Sequence, residues 1–107
     1  MKSNLFMKKI INGKKYDTTT AMKCGSYEYG CGGDANHIYE ALYRKKTGEF
    51  FLYGEGGAFT QYRRDCGPRS YTGGEDITPL TEEEAREWAE KYLNYDEYAR
   101  AFGEPEE

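Results

Sequence analysis

Residues 37–57, HIYEALYRKKTGEFFLYGEGG, decide the fold. Two runs of aromatic and aliphatic residues flank a polar Lys45-Lys46-Thr47-Gly48 turn, which is the pattern of a β-hairpin. Side chains alternate along a strand, so Ile38, Leu42, Phe50 and Leu52 share one face, and Tyr39, Ala41, Tyr43, Phe51 and Tyr53 share the other. Both faces are largely apolar or aromatic. That places the hairpin in the middle of a small antiparallel sheet with a cover on each side.

Working outward, the N-terminal flank holds a second hairpin signal. Lys8-Lys9-Ile10-Ile11 and Lys14-Lys15-Tyr16 are joined by Asn12-Gly13, the pair that supplies the positive φ values of a type I′ turn. Residues 1–6 show no pattern and are expected to form a loosely ordered leader. Asp17 or Thr18 can cap a short helix running to Met22 or Lys23 and stopped at Cys24-Gly25. Residues 26–36 and 63–74 are glycine-rich and without period, and read as loops. Between and after them, residues 58–62 suit a short strand or turn, and Glu75 to Leu80 a last strand limited by Pro79.

The C-terminal flank is helical. Thr81-Glu82-Glu83-Glu84 is a capping box, and Ala85, Trp88, Ala89 and Tyr92 follow at the spacing of one helix face, which predicts a helix to about Leu93 lying across the sheet. Asn94 interrupts it. Asp96 is expected to cap a second helix carrying Tyr98, Ala99 and Phe102, ended by Gly103 and Pro105, with residues 104–107 a frayed acidic tail. The reading is one α+β domain over 1–107, in the order β-β-α-β-β-β-α-α, with a sheet of about four or five strands.

A chain of 107 residues has room for one modest core, much of it tyrosine, whose hydroxyls must find partners. No apolar run approaches the ~20 residues needed to cross a bilayer, and no secretory signal opens the chain, so the expected location is the cytoplasm. Charge is uneven. Residues 1–81 carry 12 basic and 9 acidic groups and residues 82–107 carry 3 and 10, a balance of +3 against −7. This argues against nucleic-acid binding by the surface as a whole and makes the C-terminal end a candidate for a basic partner.

Three cysteines and the single histidine, Cys24, Cys31, His37 and Cys66, fall in or beside the two glycine-rich loops. Three thiolates and an imidazole are a complete tetrahedral set for one structural zinc with no open position and hence no catalysis. Neither a C-x-x-C nor an H-x-x-x-H pair is present, so ordinary reduced cysteines beside an exposed histidine remain the alternative. Gly54-Glu55-Gly56-Gly57 lacks the lysine and helix of a phosphate loop. No serine elbow is present, His37 has no evident base or nucleophile partner, and the carboxylates cluster on a helix face instead of in an apolar pocket, so no enzyme is expected and no catalytic residue is assigned. Arg63, Arg64 and Arg69 form a small basic loop. Glu83, Glu87, Glu90 and Glu97 occupy positions left free by the apolar stripe, beside Tyr95 and Tyr98; they suit either a solvated face or a row of carboxylates standing in for phosphates on a basic partner.

Lys9-Ile10-Ile11-Asn12-Gly13-Lys14-Lys15-Tyr16-Asp17-Thr18, then Phe51-Leu52-Tyr53-Gly54-Glu55-Gly56-Gly57, then Ile77-Thr78-Pro79-Leu80-Thr81-Glu82-Glu83-Glu84-Ala85 with Trp88-Ala89-Glu90, resemble a family of small proteins carried by phages and mobile elements of Gram-positive bacteria, over residues 8–103. Some small proteins of this kind are anti-CRISPR proteins that bind a type II RNA-guided nuclease and stop it, at least one being a zinc protein. The resemblance implies a stoichiometric inhibitor that binds a CRISPR effector nuclease and blocks target binding or cleavage in the bacterial cytoplasm. It assigns no individual residue a role. The alternative is a zinc-stabilised nucleic-acid-binding regulator using Arg63, Arg64 and Arg69.

Overall fold

The computed structural model describes residues 7–31 and 33–107. The leader over 1–6 lies outside the described residues. Four antiparallel strands form the main sheet: β3 (Met22–Tyr29), β4 (Ile38–Arg44), β5 (Phe50–Gly56) and β8 (Gly74–Leu80), side by side in that order. The central pair is the hairpin of residues 37–57. Leu42 stands opposite Leu52, and Tyr43 opposite Phe51, so the alternation sorts the side chains as the sequence requires.

Each face has its own cover. Leu42, Phe50 and Cys24 pack with Leu52, Leu80 and Trp88 under two helices, α1 (Glu82–Tyr92) and α2 (Tyr95–Phe102). Tyr39, Ala41, Tyr43, Phe51, Tyr53 and Ile77 pack on the opposite side against the β1 (Lys8–Ile11) and β2 (Lys14–Asp17) hairpin, chiefly through Tyr16 and Ile11. Asn12 and Gly13 both take positive φ, 53° and 79°, as the turn between those strands demands. The hairpin is a separate two-stranded sheet, tied to β8 by an ion pair between Lys9 and Asp76. The result is a three-layer α+β domain.

The helix expected from Asp17 to Lys23 does not form. The Asp17 carboxylate accepts from both the amide (2.8 Å) and the hydroxyl (2.6 Å) of Thr19, holding a turn, and three successive β-branched threonines are poor helix formers. The chain enters β3 at Met22, so that Ser26 to Tyr29, expected in a loop, are strand. Tyr27 lands on the helix side, its ring 4.0 Å from that of Tyr92, and Gly25 lets Leu93 sit where a Cβ would be 2.4 Å from Leu93 Cδ2. In the second irregular loop, β6 (Arg64–Asp65) and β7 (Tyr71–Thr72) make a miniature hairpin. Residues 58–62 are turns rather than strand.

Both helices are capped from their own sequence. Thr81 accepts from the Glu84 amide at 3.1 Å while Glu84 reaches back to the Thr81 amide at 2.9 Å. The cap of α2 is Asn94, paired reciprocally with Glu97, and not Asp96. Asn94 therefore both ends α1's path and starts α2. Gly103 closes α2 at φ 90°, and the tail over 104–107 is exposed coil.

Candidate functional site

The outward face of α1 carries the acidic row. With about 100° between successive residues, Glu83, Glu87 and Glu90 fall within an arc of about 60°, directly opposite the buried Ala85 and Ala89. All three are exposed, and none makes a hydrogen bond or ion pair among the described residues. Glu82 differs from them, because it is held by Arg86 one turn on at 2.6 Å. The other three side chains expected at this surface behave differently. Glu97 is committed to the α2 cap, Tyr98 is half-buried with its ring 4.9 Å from Phe102, and Tyr95 is 59% exposed with its hydroxyl bonded to Glu104. The available surface is thus Glu83, Glu87 and Glu90 on α1, with the Tyr95 ring at the start of α2.

The helix is positioned by a buried polar cluster that the sequence reading passed over. Glu40 of β4 points to the helix side, where it is 8% exposed. Its Oε1 accepts from Trp88 Nε1 at 2.9 Å and its Oε2 from the Tyr62 hydroxyl at 2.5 Å. The carboxylate thereby fastens α1 and the 57–63 turn to the same strand. Burial, with Glu40 beside it, holds the Tyr62 phenol well above its ordinary pKa, so it stays a donor. Its ring lies over Gly54, which stands opposite Glu40 in the sheet. A lone carboxylate in the otherwise apolar run IYEALY, facing a glycine across the strand pair, is the signal that points to it. This use of Gly54 also accounts for the GEGG segment without any phosphate.

The four residues of the expected zinc set are dispersed. Cys24 is buried in the helix-side core with Leu42 and Phe50, and burial pushes its thiol up to about 11. Cys31 is exposed beyond the end of β3. His37 sits before β4, with Nε2 2.7 Å from Glu28 Oε2 of the adjacent strand. Cys66 is exposed between β6 and β7, 3.2 Å from the Ser70 hydroxyl. Among the described residues no three His, Cys, Asp or Glu side chains form a group able to hold a metal ion, so these positions as placed do not fit one tetrahedral site. A thiolate at Cys24 would also have to be made and kept inside an apolar core.

The basic loop is partly occupied with itself. The Arg63 guanidinium stacks 4.3 Å from the centroid of Tyr71, whereas Arg69 stands exposed at the tip with φ 57°. Beside this loop, His37, Glu55, Arg64, Tyr71 and Glu75 line a cleft of about 800 Å³. At its Glu55–Glu75 wall the buried Tyr53 hydroxyl lies within hydrogen-bond reach of both carboxylates, 2.6 Å from Glu75. Among the described residues no helix is long and apolar enough to cross a membrane. Compared with known proteins, the chain matches no family model, no curated protein and no solved structure.

Proposed function

We propose that this chain is a non-enzymatic inhibitor that binds a type II RNA-guided effector nuclease in the bacterial cytoplasm and blocks target DNA binding or cleavage. The observation that carries this reading is the row Glu83, Glu87 and Glu90, exposed, unpaired among the described residues, and set on a helix anchored through Trp88 and Glu40. A rigid line of carboxylates suits the basic channels in which such a nuclease holds guide and target, and Tyr95 offers an aromatic contact at its margin. The partner class comes from the resemblance of three sequence segments to phage and mobile-element proteins. The chemistry of the contact comes from the helix.

The test is target cleavage by the guide-loaded nuclease as the protein is titrated in. Inhibition should complete near equimolar ratio and be lost when Glu83, Glu87 and Glu90 are reversed to lysine with the circular dichroism spectrum unchanged. Inhibition indifferent to that reversal would move the contact off α1 to the loops. Under the second reading, a zinc-stabilised nucleic-acid-binding regulator, Arg63, Arg64 and Arg69 are exposed charges, and direct DNA binding lost on their reversal would favour it.

A further inference from the structure

Two lysine pairs far apart in sequence meet at one end of the molecule. Lys14-Lys15 open β2, Lys45-Lys46 open the β4–β5 turn, and together they border a cleft of about 740 Å³. Glu49 joins the two segments, accepting from Lys14 Nζ at 2.6 Å and Lys45 Nζ at 2.9 Å. Lys45 also lies 3.7 Å from the centroid of the Tyr16 ring, which leaves its side chain 14% exposed. Lys14 and Lys45 thus form a clasp that holds the cleft in shape. Lys15 and Lys46 are exposed and form no ion pair among the described residues. The cleft's remaining carboxylate, Asp17, is turned onto Thr19.

We infer that this cleft binds the phosphodiester backbone of a nucleic acid, with Lys15 and Lys46 as the phosphate-contacting charges. Four lysines against two carboxylates give the cleft a local excess of positive charge that the whole-chain balance of −4 conceals. Screening over about 8 Å at physiological salt makes that local charge what an approaching strand meets. A protein partner is the poorer match. Interfaces are centred on apolar or aromatic anchors, and none of the exposed large hydrophobics, Ile10, Met22, Tyr29, Phe59, Tyr71 or Tyr95, lines this cleft. Base stacking has no platform among the cleft's lining residues, and the nearby Tyr16 ring is buried and covered by Lys45. The contact is therefore chiefly electrostatic, to the backbone.

The experiment uses no nuclease, so its outcome is separate from that of the inhibitor reading. Fluorescence anisotropy of a labelled DNA strand of about 20 nucleotides is followed in roughly 50 and 200 mM salt, and two phosphate contacts predict a log–log salt slope of about −1.4. Wild-type protein should bind at the lower salt. The K15E/K46E variant, which leaves the Glu49 clasp intact, should bind about tenfold more weakly or worse, and K15Q/K46Q should fall between. R63E/R69E, matched in charge change but placed on the other basic loop, should bind as wild type. No binding by wild type, binding unchanged in K15E/K46E, loss confined to R63E/R69E, or capture by phosphatidylserine vesicles without capture of DNA would each overturn the inference.

Discussion

Replacing Gly54 by alanine should unfasten the polar cluster under α1. The added Cβ would stand 2.0 Å from the Tyr62 hydroxyl oxygen and 2.1 Å from its Cζ, far inside contact distance. The ring cannot swing aside cheaply, because Tyr62 is 9% exposed and its hydroxyl is held by Glu40. Displacing it forfeits the burial of a large ring, about 1.5–3 kcal/mol, and a hydrogen bond to a charged acceptor, about 1.5–3 kcal/mol. The lower entropy of the unfolded alanine variant gives back about 0.5–1 kcal/mol. The net cost is about 2–5.5 kcal/mol, and at about 4 °C or more per kcal/mol for a domain of this size the melting temperature should fall by at least about 8 °C. Differential scanning fluorimetry with urea titration reads this directly. Combining Gly54→Ala with Tyr62→Ala should cost clearly less than the two single changes added, since each removes what the other would disturb. A Gly54→Ala protein melting within about 2 °C of wild type, or strict additivity in the double variant, would refute the packing of Tyr62 over the strand.

Glu49 is held down to about 2, first by its hydrogen bonds from Lys14 and Lys45 and then by their charge. A carboxylate depressed in the folded state adds stability above its unfolded value of about 4.5 and loses it as pH falls toward 2, so wild type should weaken across that window more steeply than Glu49→Gln in urea midpoints measured against pH. Identical pH slopes for the two proteins would contradict the clasp. The thiols should divide two to one: Cys31 and Cys66 react quickly with a thiol reagent in the native protein, and Cys24, buried and raised to about 11, reacts only on unfolding. With the four candidate ligands dispersed, protein purified without added zinc should carry less than about 0.2 zinc per chain and show no stability loss on chelation; stoichiometric zinc with all three thiols protected would overturn that placement.

The hairpin over residues 37–57, both helices and the last strand could be read directly because each carries a strong local code: alternation through IYEALY and FFLY, and a Thr81–Glu84 capping box followed by a helical stripe. What escaped reading was decided by neighbours distant in sequence. β3 has a glycine, a serine and two charged residues among its eight, and it is a strand because β4 offers an edge and Tyr92 and Leu93 cover its inner side. Asp17 carries the same side chain whether it caps a helix or closes a turn on Thr19, and only the β-branched run after it separates the two. At the candidate surface, the spacing located Glu83, Glu87 and Glu90 correctly on one face, while Glu97 and Tyr98 were claimed by a cap and by Phe102. The Glu40–Tyr62–Trp88 cluster and the lysine cleft join residues more than twenty positions apart, which no local pattern displays.

The proposed role of the outward face of α1 as a protein-binding surface is tested by titration calorimetry against the guide-loaded nuclease at physiological salt. Wild-type protein should bind at one per nuclease, and the E83K/E87K/E90K variant, folded as judged by its circular dichroism, should give no binding heat. Absence of binding by wild type, or an unchanged isotherm for the triple reversal, would contradict it.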